Sequence, residues 1–260
     1  MKIVFFGTPV FASCVLKALV DSKSHEIVAI VTKPDKPQGR NLQPQKTSVK
    51  EIAEKILPNV PIFQPPKCSS SDFVPILQQF SADIFVVVAY GEIVSQAILD
   101  LPKYGCINIH ASLLPKYRGA APMQRCLLNG DVESGISIIR MTKKLDAGNI
   151  LKQKAISVPL EMNLDGLSKA LCDLGIELLF QVLKDFENNT VKDVVQDESK
   201  VTFAEKVQPS DLQIDWNMSA HEIHNKVRAL SPRPGVYCVV EIRRQKKRMK
   251  ILASEVEDAS

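Results

Sequence analysis

Short, wholly apolar runs alternate with amphipathic stretches through the first hundred residues. Ile3–Phe6 has no polar position, as expected of a strand buried on both faces of a sheet. Gly7-Thr8-Pro9 interrupts it, and Phe11–Val20 then reads as a helix. Ile27–Thr32, rich in β-branched residues, predicts the next strand. A loop rich in Pro, Lys and Gln runs from about Lys33 to Thr47, and Ser48–Ile56 returns to helical spacing. Pro61–Phe63 predicts a short strand, Ser71–Phe80 a helix and Asp83–Ala89 a third long apolar strand. Strand–helix–strand units with short connections predict an α/β fold: a Rossmann-like open sheet, mostly parallel, with helices on both faces.

Beyond residue 100 the alternation is less regular. Gly105–Ile109, Gly135–Met141 and Ile150–Val158 predict strands, and Arg118–Asn129 a helix. Leu167, Leu171, Leu174, Leu178 and Val182 recur at helical spacing through Leu164–Phe186, predicting one long amphipathic helix. Residues 191–208 are polar and read as a linker, which makes 1–190 one domain and 209–260 a second. In the second, Ser219–Leu230 reads as a helix, with Ser219 at the N-cap and Glu222 completing a capping box. Val236–Ile242 and Lys250–Ser254 resemble two strands of a hairpin. A lone hairpin is marginal in water, so this tail reads as a small β domain that is either truncated or minimal.

Composition narrows the class without choosing a function. At 260 residues, 45% hydrophobic and 24% charged, the chain can bury a sizeable core, which excludes disorder, collagen and coiled coil for the whole. The net charge of +4 permits an anionic partner without requiring one. Six scattered cysteines with no Cys-x-x-Cys pair predict buried thiols, with no disulfide framework and no structural zinc. No apolar run approaches the roughly 18–20 residues of a membrane span, and the apolar stretch after Lys2 is too short for a signal peptide. A soluble, cytoplasmic protein without membrane partners is expected.

Two familiar chemistries fit poorly. Gly7-Thr8-Pro9-Val10-Phe11-Ala12 has one glycine where the dinucleotide fingerprint needs three, and no Walker A loop occurs. His221 and His224 are three apart where a zincin helix needs four, so a solvated helix face is expected there and no metal is predicted.

The informative stretch runs from Cys106 to Pro122. Asn108 and His110 are two apart at the end of an apolar strand, so their side chains point the same way. In an open parallel sheet, ligands bind at the carboxyl ends of strands. An amide donor beside an imidazole suits a carbonyl whose oxygen becomes negative during attack, and the imidazole can manage the proton of an amine. Asp146, in Leu145-Asp146-Ala147-Gly148 after the strand Gly135–Met141, could orient that imidazole. Taken singly, an Asn-x-His pair can be a structural pair and Asp-x-Gly an ordinary turn. Spacing alone does not show that Asp146 meets His110.

Taken in order, Asn108-Ile109-His110-Ala111-Ser112-Leu113-Leu114-Pro115, Arg118-Gly119-Ala120-Ala121-Pro122 and Leu145-Asp146-Ala147-Gly148 resemble the 10-formyltetrahydrofolate-dependent formyltransferases. Phe6-Gly7-Thr8-Pro9, Val87-Val88-Ala89-Tyr90-Gly91 and Ile214-Asp215-Trp216 extend the likeness over essentially the whole chain. The resemblance implies that Asn108, His110 and Asp146 are the catalytic trio. It also implies that Ser112, Leu113, Leu114 and Pro115, together with Val88, Ala89, Tyr90 and Gly91, bind the folate formyl donor.

Within that family the likeness is greatest to the branch that formylates the α-amino group of methionine on initiator tRNA. It implies initiator Met-tRNA as partner, a β-barrel-like domain after the catalytic one, and tRNA contacts from the basic loop with Lys33, Lys36, Arg40 and Lys46; a monomer is expected. Arg243, Arg244, Lys246 and Lys247, in a segment with six basic residues in eight, would add salt-dependent phosphate contacts. A solvated hairpin turn is the simpler reading of that segment. Formyl transfer to an amino-sugar nucleotide, or tRNA or folate binding without catalysis, are the alternatives.

Overall fold

The computed structural model describes residues 1–38 and 43–257; Arg40 lies outside the described residues. Strand β1 (Lys2–Gly7) is buried from Ile3 onward, as its apolar run demands. Helix α1 (Val10–Ser22) buries Ala12, Val15, Leu16 and Leu19, one stripe at helical spacing. It turns tightly off β1 because residue 7 is glycine: a Cβ there would sit 2.6 Å from that of Ala12. β2 (Glu26–Val31) follows. Then β3 (Lys36–Gln38) and β4 (Gln43–Gln45) pair antiparallel inside the stretch that reads as a loop. Pro37 and Pro44, which face one another in that pairing, erase the usual strand signal.

Helix α2 (Ser48–Ile56) is capped by Thr47, whose hydroxyl accepts from the Lys50 amide at 3.2 Å. β5 (Ile62–Phe63), α3 (Phe73–Gln78), β6 (Ile84–Val88), α4 (Gln96–Leu99) and β7 (Cys106–His110) follow. The helix expected from Arg118 begins only at Pro122. Arg118–Gly119 instead forms β8, and α5 is Pro122–Leu128. The reason is backbone geometry, since Gly119 has φ +129° and a Cβ there would meet the Ala204 carbonyl oxygen at 2.7 Å. β9 (Glu133–Arg140), β10 (Ile150–Ser157) and α6 (Leu164–Glu187) match the expected elements closely. β11 (Phe203–Ala204), pairing with β8, lies in the polar stretch that reads as a linker. Helix α7 (Ala220–Leu230), with its Ser219–Glu222 capping box, precedes the hairpin β12 (Val236–Ile242) and β13 (Gln245–Ile251).

Seven strands form the central sheet in the order β10-β9-β7-β6-β1-β2-β5. β7, β6, β1, β2 and β5 are mutually parallel, whereas β9 runs antiparallel to β7. The chain divides into two compact units. The first comprises residues 1–110, 136–154 and 172–197; the second comprises 111–135, 155–171 and 198–260. In the second unit α5 packs on α7, and buried Arg228 donates to the Pro159 and Met162 carbonyls at 3.0 and 3.2 Å.

Two further expectations need correction. Cys14 is exposed, lying on the outer side of α1, while the other five cysteines are buried. His224 is buried rather than solvated, because α7 turns it toward the Leu160 carbonyl (3.1 Å) and the Ser254 hydroxyl (3.0 Å). Among the described residues, no helix is long and apolar enough to cross a membrane.

Candidate active site

The trio singled out by the sequence converges within the first unit. Asn108 and His110 alternate with buried Ile107 and Ile109 along β7, so both project from the same face of the sheet. His110 is buried and Asn108 half-buried. Asp146 reaches them by a route that the strand pattern does not reveal. Because β9 is antiparallel to β7, its last residue, Arg140, pairs with Ile107 near the start of β7. Asp146 follows that end, yet its carboxylate stands 3.6 Å from His110 Nδ1 and 3.5 Å from Asn108 Nδ2. The loop between β9 and β10 therefore folds back over the sheet.

Two features close this loop. At Gly148 a Cβ would come within 1.7 Å of the Arg140 carbonyl oxygen, so only glycine fits. Asp146 adopts φ +47°, the left-handed region that Asp tolerates better than most residues. The buried amide of Gln196 donates to the carbonyls of Asp146 and Gly148, both at 2.7 Å. The sequence does not single out Gln196. It sits in a polar stretch and its partners are 50 and 48 residues away, so no local pattern marks it.

The end of β6, beside β7 in the sheet, carries Val88–Gly91. Val88 and the Tyr90 side chain are buried, with the Tyr90 ring edge-on to Phe6 at 5.6 Å. Burial pushes the neighbouring Cys68 thiol up to about 11, with the nearby Tyr90 hydroxyl opposing the rise. Ala89 (φ +45°) and Gly91 (φ +76°) are exposed, and the Thr8 hydroxyl fixes the Tyr90 carbonyl at 3.0 Å. This segment thus exposes residues 89 and 91 while the Tyr90 ring stays inside. Lys33 stands beside it, its ammonium 3.0 Å from where a Cβ on Gly91 would be.

Ser112, Leu113, Leu114 and Pro115 belong to the second unit. The buried Ser112 hydroxyl donates to the Lys116 carbonyl at 2.6 Å, Leu114 is buried, and the Leu114–Pro115 peptide is cis. Within that unit Ser112 and Leu113 line a cavity of about 340 Å³ with Lys116, Tyr117, Asp131 and Glu133. The Tyr117 hydroxyl donates to Asp131 at 2.7 Å and accepts from Asn129 at 2.8 Å.

The basic residues divide by what they touch. Lys36 is exposed, Lys46 pairs with Glu54 at 2.6 Å and Lys50 with Asp35 at 2.6 Å. Hydrogen bonds from Lys50 and Gln64 hold the Asp35 carboxyl below its usual range. In the hairpin, Arg243 and Arg244 are themselves the two-residue turn, with φ +51° and +60°. The second strand therefore starts at Gln245, not at Lys250 as the sequence suggests. Lys246, Arg248 and Lys250 alternate along it with Lys247 and Met249, so three cations share one face and Lys247 takes the other. All are exposed. Among the described residues, no group of three His, Cys, Asp or Glu is placed to hold a metal ion.

Residues 1–183 match the "Formyl transferase" family profile, and residues 206–260 match "Formyl transferase, C-terminal domain". The methionyl-tRNA formyltransferase of Protochlamydia amoebophila is 46% identical over 256 residues, covering 98% of this chain and 80% of that protein. That of Chlamydia muridarum is 39% identical, covering 100% and 82%. Among solved structures, a 4-N formyltransferase from Francisella tularensis superposes with a TM-score of 0.73 at 18% identity, covering 98% of both chains. An N-formyltransferase from Helicobacter canadensis, solved with folinic acid and dTDP-3-aminofucose, gives 0.68 at 19%, covering 95% and 86%. These two structural likenesses bear on the fold.

Proposed function

The chain belongs to the formyl transferase family, and from that premise we propose that it moves the formyl group of 10-formyltetrahydrofolate onto the α-amino group of methionine on initiator tRNA. The observation that carries this reading is the convergence of Asn108, His110 and Asp146 at one sheet face, in a chain 39–46% identical to methionyl-tRNA formyltransferases. The two solved neighbours, one of them holding an amino-sugar nucleotide, are far more distant, at 18–19% identity.

The donor's fit rests on what lies beside the trio. The exposed backbone of Ala89 and Gly91 offers peptide groups to a planar heterocycle at the end of the strand next to His110. Ser112–Pro115, which follow His110 closely in the chain, complete the donor site in this reading. The reaction so written needs no metal.

The residues divide the work. The neutral amine attacks the formyl carbon, a C–N bond forms, and negative charge collects on the carbonyl oxygen. Asn108 has two amide N–H donors; one faces Asp146, and the other serves that oxygen. His110, with Nδ1 toward Asp146, acts through Nε2. Asp146 fixes the imidazole and assists removal of the ammonium proton. The bond to N10 then breaks, N10 takes a proton, and tetrahydrofolate leaves. The exposed basic hairpin of residues 209–260 and the loop with Lys33, Lys36, Arg40 and Lys46 supply phosphate contacts. The enzyme works as a cytoplasmic monomer in this account.

The test is formyl transfer to methionyl initiator tRNA and, in parallel, to a dTDP-amino sugar, with wild type and His110→Ala side by side. Transfer to the tRNA by wild type alone is the expected result. Transfer only to the sugar would replace this reading with the other branch of the family.

A further inference from the structure

We propose that Gln196 is a positioning residue for Asp146, and that residues 193–196 form a strap holding the active-site loop in its working shape. The proposal rests on the reading that Asp146 works in formyl transfer, and it adds a residue outside both family-matched segments, 1–183 and 206–260.

The strap touches the loop at its stem and beside Asp146, all within the first unit. At the stem, Arg140 donates from Nε and Nη2, one edge of its guanidinium, to the Asp193 carboxylate at 2.6 and 3.1 Å. Val194 and Ile150 exchange backbone hydrogen bonds at 2.8 and 2.9 Å. Arg140 and Ile150 end β9 and begin β10, so the strap ties the two strands where the loop leaves them. Just beyond the stem, the Gln196 amide donates to the Asp146 and Gly148 carbonyls.

The Gln196 contact has a specific consequence. Asp146 sits at φ +47°, a conformation that L side chains rarely adopt, in a loop whose residues 142–145 are exposed. Left to itself, such a segment would sample other backbone conformations and swing the carboxylate away from His110. Two donors from one buried amide hold the carbonyls on either side of Ala147, which fixes the direction of the Asp146 side chain. Glutamine suits the task because its terminal NH₂ carries two donors and no charge. A glutamate of the same length would set carboxylate oxygens against two carbonyls.

The experiment is steady-state formyl transfer by wild type, Gln196→Met, Asp146→Asn and the double variant, with hydrogen exchange of the loop amides from Leu145 to Ile150. Gln196→Met should lower kcat by about 10- to 100-fold, the scale of a misplaced catalytic group, with KM for the formyl donor changed less than about twofold. In the Asp146→Asn background the same change should cost less than about twofold, because its effect runs through the missing carboxylate. Loop exchange should quicken. A wild-type kcat in Gln196→Met, or an equal loss in both backgrounds, would overturn the proposal. Gln196→Glu, which keeps the side chain's length and volume, must also lose turnover. If wild type itself transfers no formyl group, the reading of the reaction falls, while unchanged exchange in Gln196→Met would still refute the strap.

Discussion

The Asp146 carboxylate lies 3.6 Å from His110 Nδ1, although the strands leading to the two residues run in opposite directions. At that separation the contact is too long for a good hydrogen bond, and it is an ion pair only when the imidazole carries its second proton. Both side chains are largely withdrawn from water, 6% and 11% exposed, so the attraction is weakly screened. The pair depends on the backward fold of the loop and hence on the few contacts that shape it.

Removing members of the trio should therefore separate chemistry from folding. Asn108→Ala should lower kcat by about 10²–10³-fold, the usual cost of one oxyanion donor. His110→Ala and Asp146→Asn should do at least as much. Thermal unfolding and far-ultraviolet circular dichroism should stay close to wild type, because none of the three is part of the apolar core. Near-wild-type turnover in purified Asn108→Ala or His110→Ala would remove them from the mechanism.

Gly148→Ala should damage stability and turnover together. Its methyl group would lie 1.7 Å from the Arg140 carbonyl oxygen, a backbone atom that cannot swing aside. The chain must shift at the base of the loop, at a cost of about 1–3 kcal/mol or more. The shift carries Asp146, two residues away, out of register with His110. A urea midpoint and a kcat both equal to wild type would mean that the loop relaxes without loss.

Where periodicity and capping decide the structure, the sequence is legible. The buried strands β1 and β6, the long helix α6 and the Ser219–Glu222 capping box follow from local pattern and appear where expected. Long-range pairing escapes it. Arg118–Gly119 reads as the start of a helix because its partner, β11, is 85 residues further on. β13 starts earlier than its pattern suggests because Arg-Arg is an unusual sequence for a turn with two positive φ values. At the site, alternation alone places Asn108 and His110 on one face. That Asp146 meets them, and that Gln196 holds Asp146, depend on the antiparallel insertion of β9 and on a contact between distant segments.

Raising the pH should weaken the fold from about pH 9 upward. Burial raises the thiols of Cys68 and Cys126 from 9.0 to about 11, because the folded interior disfavours the thiolate. The groups are acids whose folded pKa exceeds the unfolded value. The stability linked to them is complete below about pH 9 and is lost as pH climbs through 11. Buried Cys106 and Tyr90, shifted upward by the same cause, steepen the loss. Urea midpoints between pH 7 and 11 measure it, and a flat profile would contradict the burial of these thiols. Over the same range Cys14, the exposed thiol, should be the one modified quickly by a thiol reagent in the native protein.

The basic hairpin offers a test in which weakened affinity cannot be blamed on a damaged fold. Arg243 and Arg244 occupy a two-residue turn with both φ values positive, where Asn-Gly is the favoured pair. Arg243→Asn/Arg244→Gly thus removes two charges while making the turn more, not less, stable. If these side chains meet phosphates of the tRNA, the slope of log K against log salt should fall by about 0.7–0.9 for each phosphate no longer neutralised. Affinity at low salt should drop, and kcat at saturating tRNA should hold, because the turn holds none of Asn108, His110 and Asp146. Adding Lys246→Gln, on the strand face shared with Arg248 and Lys250, should reduce the slope again. An unchanged slope in the double variant would make the turn a solvated surface and leave the acceptor to the loop around Lys33 and Lys36.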